Sequence, residues 1–313
     1  MRLLAIDEQT DLLLDGGVDR IAASLVTAIP EAEIEAEAAD GLKPGDMVGP
    51  WQVVERLGSG GMGSVWLATR MEPDFGQNVA LKCIKPGMDS EAVLRSFQRE
   101  RELLVRLQHP GIAHLIDGGV DERGRPWYAM RHVEGVTLDH WLQSGPPLRT
   151  RLELFRALCR IVAYAHQQLV VHRDLKPSNV MVQLDGTPCL LDFGIAKILR
   201  DDQLDATATV ASFASRAYAA PEQIEGGLIT TATDVYALGA VLFELLTGSR
   251  YSAVHEGGEI STRPSRAPRL PDASPQVAVP AVQLKGDLDA ITTRALAPDP
   301  ARRYGSADAL ADD

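Results

Sequence analysis

Residues 170–182 read VVHRDLKPSNVMV, and residues 190–194 read LLDFG. Asp174 and Asn179 stand five apart in what reads as an irregular loop bounded by apolar strands, with Lys176 between them. Asp192 follows at the end of a second apolar run. Together they supply a carboxylate that can face an acceptor hydroxyl, an amide oxygen and a second carboxylate for a hard divalent cation, and a positive charge for phosphate. Those are the groups that phosphoryl transfer requires.

Upstream, residues 57–66 read LGSGGMGSVW, and Gly58, Gly60 and Gly63 spell GxGxxG. The spelling has two incompatible meanings: a strand-to-helix turn holding a dinucleotide pyrophosphate, or the tip of a β-hairpin lying over the phosphates of ATP. The context decides. SVWLATR after Gly63 alternates like a strand, and Asn78 stands where a dinucleotide site expects an acidic residue. The hairpin reading follows. Lys82 in VALK then offers a cation beneath the lid, and a lysine in a cleft needs a carboxylate partner. The segment 90–108 reads as a helix capped by Ser90, and it contributes Glu91, Glu100 and Glu102.

Between these landmarks, WQVVERLG, SVWLATR, NVALKCIK, IAHLIDGGV and PWYAMRHV have strand texture, whereas 148–168 and 233–248 are helical. A small sheet-rich part followed by a larger helical part predicts two lobes with a cleft between them. Residues 249–286, rich in Pro, Ser and Arg, read as loop or in part disordered.

On LGSGGMGSVWLA, HRDLKPSN, LLDFGIAK, YAAPEQ and DPARRYGSADAL, the chain resembles the eukaryotic-type protein kinases, and within them the Hanks-type serine/threonine kinases of bacteria. The resemblance runs from about Trp51 to the end. It implies an α+β bilobal fold: an antiparallel-sheet N-lobe with one helix over 47–131, and a mostly helical C-lobe over 132–313. The activation segment would span 192–222, and 1–46 would be an acidic extension outside the domain.

The implied activity is transfer of the γ-phosphate of Mg-ATP to Ser or Thr hydroxyls of proteins, with Mn2+ as the alternative ion. A pseudokinase-type ATP-binding scaffold and a small-molecule kinase are the competing functions. By resemblance, Gly58, Gly60 and Gly63 let backbone amides approach the phosphates, and Lys82 grips them while paired with Glu100. Asp174 takes the substrate proton, Lys176 steadies the γ-phosphate, and Asn179 and Asp192 hold Mg2+. Leu57, Val65, Ala80 and Met181 enclose adenine, with Met130 as gatekeeper and the backbone of Arg131 and Val133 as its hydrogen-bonding edge. Leu104, Leu115, His172 and Phe193 couple the lobes above Asp234, and Glu222 pairs with Arg303.

The pattern bends in three places. The usual acidic–aromatic hinge is Arg131–His132, which alters the cleft entrance. The stretch before APEQ reads ASRAY, in which Ser215 keeps a hydroxyl for Asp174 and Lys176. The Pro-rich 249–286 stands where a substrate-docking helix is usual. Arg173 before the catalytic aspartate implies activation by autophosphorylation, with Thr207, Thr209 and Ser212 as candidates.

A net charge of −12 argues against nucleic acid or an anionic membrane as general partner. Cys83, Cys159 and Cys189 are too few and too scattered for a disulfide frame or a zinc site, and fit reduced thiols in the cytoplasm. The first 40 residues carry ten acidic side chains against Arg2 and Arg20, and read as a solvated, partly helical extension. A homodimer for trans-autophosphorylation, and a membrane anchor or repeat domain beyond residue 313, are compatible with the sequence.

Overall fold

The inner strands of the first half alternate between a wholly buried face and a half-open one, and this places the cleft. In the computed structural model, which describes residues 41–60, 63–70, 76–84, 105–122, 124–193, 217–251, 261–267 and 279–313, six strands form one antiparallel sheet. They are β1 (Met47–Val48), β2 (Trp51–Gly60), β3 (Gly63–Arg70), β4 (Asn78–Ile84), β5 (Leu115–Val120) and β6 (Pro126–Arg131), in the order β1-β2-β3-β4-β6-β5. On one face Trp51, Trp66, Val79, Leu81 and Trp127 close into a small core of their own. On the other face Val65, Leu67, Ala80 and Lys82 remain only partly buried. A side-chain period of two makes this division inevitable once the register is set.

The register of β2 on β3 runs to Gly60↔Gly63, so the glycine-rich stretch is a hairpin and not a strand-to-helix turn. A bulge between Arg56 and Gly58 bends β2 as it approaches that tip. Gly63 is required by packing as much as by any ligand, because a Cβ there would lie 1.9 Å from the Cys83 carbonyl oxygen on β4. Gly58 has open space around it.

The second part begins with β7 (Gly135–Thr137), followed by α1 (Leu138–Gln143) and α2 (Leu148–Gln167). Helix α2 buries Leu154, Phe155, Leu158, Ile161, Val162 and Ala165, the spacing of one broad apolar stripe. β8 (Val180–Gln183) and β9 (Pro188–Leu190) complete a three-stranded antiparallel sheet, β7-β8-β9. After α3 (Pro221–Ile224), α4 (Thr231–Thr247) is buried along almost its whole length and forms the centre of the helical lobe. Thr230 caps its start through Ala232 N–H, and Gly248 at φ 71° ends it in the left-handed conformation. Helices α5 (Ala281–Leu284), α6 (Asp287–Ala295) and α7 (Ala307–Asp312) pack around it. Of the Pro-rich 249–286, the described part contains a 3-10 turn, Pro264–Arg266, and α5.

The lobes are tied behind the cleft. Ile112 bridges Leu190 in parallel, with Ala113 N–H donating to Leu190 O at 2.9 Å and Leu190 N–H to Gly111 O at 2.8 Å. Tyr164 on α2 donates to Gln108 O at 2.9 Å. The N-terminal 40 residues, and residues 90–104 of the expected helix, lie outside the described residues.

Candidate active site

The turn that follows α2 is held against its own conformational preference. Arg173 has φ 68°, a left-handed value that costs a non-glycine residue on the order of 1–3 kcal/mol. Its amide donates to Asp234 Oδ1 at 2.9 Å, and the preceding His172 amide donates to Asp234 Oδ2 at 2.7 Å. Gln223 Nε2 donates to the Arg173 carbonyl at 2.9 Å. Asp234, buried near the start of α4, thus clamps the turn from the centre of the lobe, with His166 Nε2 a further 2.8 Å neighbour of Oδ2.

That clamp delivers Asp174. Lys176 Nζ donates to Asp174 Oδ2 at 2.8 Å, and Asn179 Nδ2 donates to Asp174 O at 2.8 Å and Oδ2 at 3.1 Å. With its nitrogen so engaged, the Asn179 amide keeps Oδ1 as its acceptor atom. β8 and β9 pair as Val180↔Leu190, and Leu191 N–H donates to Asn179 O at 2.9 Å. Asp192 therefore directly follows the residue that is bonded to Asn179. Asp192 itself has φ 35°, a second left-handed non-glycine residue in the same site.

Across the cleft, Lys82 Nζ forms an ion pair with Asp192 Oδ2. Burial alone would lower the lysine pKa, but Asp192 and the Tyr128 hydroxyl hold it well above the ordinary lysine range, so the ammonium stays charged. The expected partner, Glu100, lies outside the described residues, as do Leu104, Thr207, Thr209, Ser212 and Ser215. The Lys82–Asp192 pair joins residues 110 apart in the chain.

The apolar slot is built from both lobes. Val65 pairs opposite Lys82, Leu67 opposite Ala80, and Ala80 opposite Met130. Met181 and Leu191 pack beside Val133, while Leu57 is exposed at the rim. At the hinge, Arg131 N–H donates to His114 O at 3.0 Å. Its guanidinium binds the hinge to the rest of the fold, donating to Pro110 O at 2.7 Å and Cys189 Sγ at 3.1 Å. Burial pushes the Cys189 thiol up to about 11.

His172 stacks on Phe193 with ring centroids 4.6 Å apart, and its Nε2 lies 3.0 Å from Leu191 O. Burial lowers its pKa, which favours the neutral ring. Leu115 and Phe193 line one narrow recess behind Met130, together with Tyr128 and Asp192. Lower in the lobe, Arg303 Nη1 and Nη2 meet Glu222 Oε1 and Oε2 at 2.7 and 2.8 Å, a bidentate pair. Burial would raise the Glu222 pKa, but the hydrogen bonds from Arg303, from backbone and from Thr233 outweigh it and hold it low. Three contributors escaped the sequence reading: Tyr128, Gln223 and His166. The first has a visible signal, since it stands an even two residues before Met130 on the same strand.

A part-buried lysine, two carboxylates and an amide oxygen around a half-open apolar slot are the equipment of a nucleotide-dependent phosphotransferase. The chain belongs to the protein kinase family, whose domain profile matches residues 51–313. It is similar to the serine/threonine-protein kinase PknJ of Mycobacterium tuberculosis, at 35% identity over 272 residues, covering 85% of this chain and 45% of that protein. It is also similar to PrkC of Bacillus subtilis, at 37% over 203 residues, covering 64% and 31%. Among solved structures, the PknI kinase domain of Mycobacterium tuberculosis superposes with a TM-score of 0.63 at 29% identity, covering 87% of this chain and 97% of that one. The chain spans less than half the length of the curated relatives it matches.

Proposed function

We propose that this domain transfers the γ-phosphate of ATP to serine or threonine hydroxyls of proteins, with Mg2+ as the assisting ion. The observation that carries the reading is the joint placement of Asp174, Lys176, Asn179 and Asp192 on one turn and strand pair, facing Lys82 from the other lobe. A carboxylate beside an amide oxygen suits a small hard cation that keeps phosphate and water ligands. The residues fit: Asp192 and Asn179 Oδ1 would hold the ion, which supplies neutralisation of phosphate charge when bound.

Asp174 orients the acceptor hydroxyl and takes its proton as the oxygen attacks phosphorus. Lys176, already on the Asp174 carboxylate, sets its orientation and faces the charge that develops on the transferred group. Lys82 leaves Asp192 to bind the α- and β-phosphates. Gly58, Gly60 and Gly63 cover the phosphates, and adenine fills the slot between Val65, Ala80 and Met181, hydrogen-bonded at Arg131 O and Val133. Arg173 is neutralised by phosphate added to Thr207, Thr209 or Ser212 in trans, within a transient homodimer. The need for ATP favours a cytoplasmic reaction, whether or not the chain is tethered to a membrane. Among the described residues no helix is long and apolar enough to cross one.

Mass spectrometry after incubation with Mg-ATP and a generic basic protein tests the reading. Phosphoserine or phosphothreonine on that protein, and on 201–215 of the chain, is the expected result. Nucleotide binding without phosphate on any protein would replace the enzyme with a scaffold.

A further inference from the structure

The back wall of the cleft carries a phenol for which the reaction described above has no use. Tyr128 lies on β6 directly opposite Lys82 on β4, so both side chains share the cleft face of the sheet. It is 2% exposed. Its Oη donates to Asp192 Oδ1 at 3.2 Å, while Lys82 holds the other oxygen, Oδ2. Lys82 Nζ also stands 5.7 Å from the centre of the Tyr128 ring. Two donors of different kinds therefore grip the two oxygens of one carboxylate. The lysine is a charge on a flexible stem. The phenol is a neutral donor on a strand paired on both sides.

We propose that Tyr128 is a positioning residue for Asp192, holding Oδ1 fixed while Oδ2 exchanges the Lys82 ammonium for the divalent cation. This rests on the reading of Asp192 as a metal ligand. When nucleotide draws Lys82 towards its phosphates, Asp192 loses one of its two anchors at the moment it takes up the cation. The Tyr128 hydroxyl belongs to the protein frame and stays, so the carboxylate does not swing. Asp192 also has a left-handed backbone, so the segment that carries it is under strain that its side-chain bonds help to hold. Hydrogen bonds that orient a ligating carboxylate are worth about 10- to 100-fold in metal affinity.

The test compares the native chain with Tyr128→Phe and Asp192→Asn, using calorimetric ADP binding in EDTA and across a Mg2+ series. Phenylalanine keeps the packing and removes the hydroxyl, which bears on Lys82 as well as on Asp192; the EDTA arm reads the effect through Lys82 and the Mg2+ series the effect through Asp192. The expected result for Tyr128→Phe is ADP affinity in EDTA within about twofold of native, with the Mg2+ concentration for half-maximal tightening raised about tenfold. An unchanged Mg2+ midpoint overturns the proposal. So does an equal loss of affinity with and without Mg2+, which marks mere packing. If Asp192→Asn keeps the native response to Mg2+, Asp192 is not the metal ligand, and the role assigned to Tyr128 falls with it.

Discussion

Replacing Asp234 by asparagine keeps the shape of a buried side chain and removes one acceptor. Asp234 is 1% exposed and accepts from Arg173 N–H at Oδ1 and from His172 N–H at Oδ2, with His166 Nε2 also on Oδ2. The amide oxygen of asparagine can keep the Arg173 bond, which leaves an NH2 group facing the other two. His166 can adapt by moving its proton to Nδ1, which has no hydrogen-bond partner among the described residues. The His172 amide cannot adapt, and two donors then oppose each other. Losing a bond to a charged acceptor costs about 1.5–3 kcal/mol, and a stranded buried N–H costs about 1–3 kcal/mol. A net loss of about 3 kcal/mol is expected, a large share of an ordinary domain's stability. The Arg173 turn, whose strain is of order 1–3 kcal/mol, then loses part of its clamp and relaxes. Asp174 is the next residue, and a displacement of about 1 Å costs on the order of 100-fold in rate. Urea unfolding gives the stability, and steady-state kinetics well below the transition give kcat and KM. We expect kcat to fall about 100-fold and the KM for ATP to change little, because Asp234 does not touch the sheet that frames the nucleotide. A variant that loses stability but keeps kcat refutes the link between the strained turn and Asp174. One that keeps both refutes the anchoring role.

Other outcomes follow from the same geometry. Gly63→Ala should destabilise the sheet by several kcal/mol, because its Cβ would meet the Cys83 carbonyl at 1.9 Å, whereas Gly58→Ala should leave the melting temperature unchanged and weaken ATP binding. Thermal melts and nucleotide titrations separate the two. His172 resists protonation when folded because it is buried, while the unfolded chain takes a proton below about pH 6.5. Stability should therefore fall as pH drops below that value, and His172→Gln should flatten the slope in urea midpoints measured between pH 5 and 7. Arg303 donates to Glu222, Ala297 O, Ala232 O and Pro298 O through a complete set of guanidinium hydrogen bonds. Arg303→Lys cannot reproduce the fork and should cost about 2 kcal/mol or more in a denaturant melt.

How far these features could be read in the sequence depended on the range of the interaction behind each. The hairpin around Gly58–Gly63 was legible because alternation on either side is local, and the helices over 148–168 and 233–248 because an apolar stripe repeats within one element. Their ends moved by a residue or two, as at Thr230, where a side-chain cap sets the start. The bilobal fold followed from the order of those elements. The requirement for Gly63 was assigned to phosphate alone, since the approach of the Cys83 carbonyl depends on cross-strand register. The Lys82–Asp192 pair spans 110 residues, and nothing local announces it. Tyr128 carries a local signal of its face but none of its role, which depends on its pairing opposite Lys82. Arg131 looked like a change at the mouth of the cleft, and only the fold shows its guanidinium on Pro110 and Cys189.

The most direct test of the central claim is transfer of labelled γ-phosphate from Mg-ATP to a generic basic protein, compared between the native chain and Asp174→Asn. Asparagine preserves the shape of the residue that Lys176 and Asn179 hold in place, and removes its ability to take a proton. The account predicts transfer by the native chain, and a loss of about 100-fold or more in the variant with ATP affinity unchanged. Equal transfer by both, or none by a native chain that binds ATP, would contradict it.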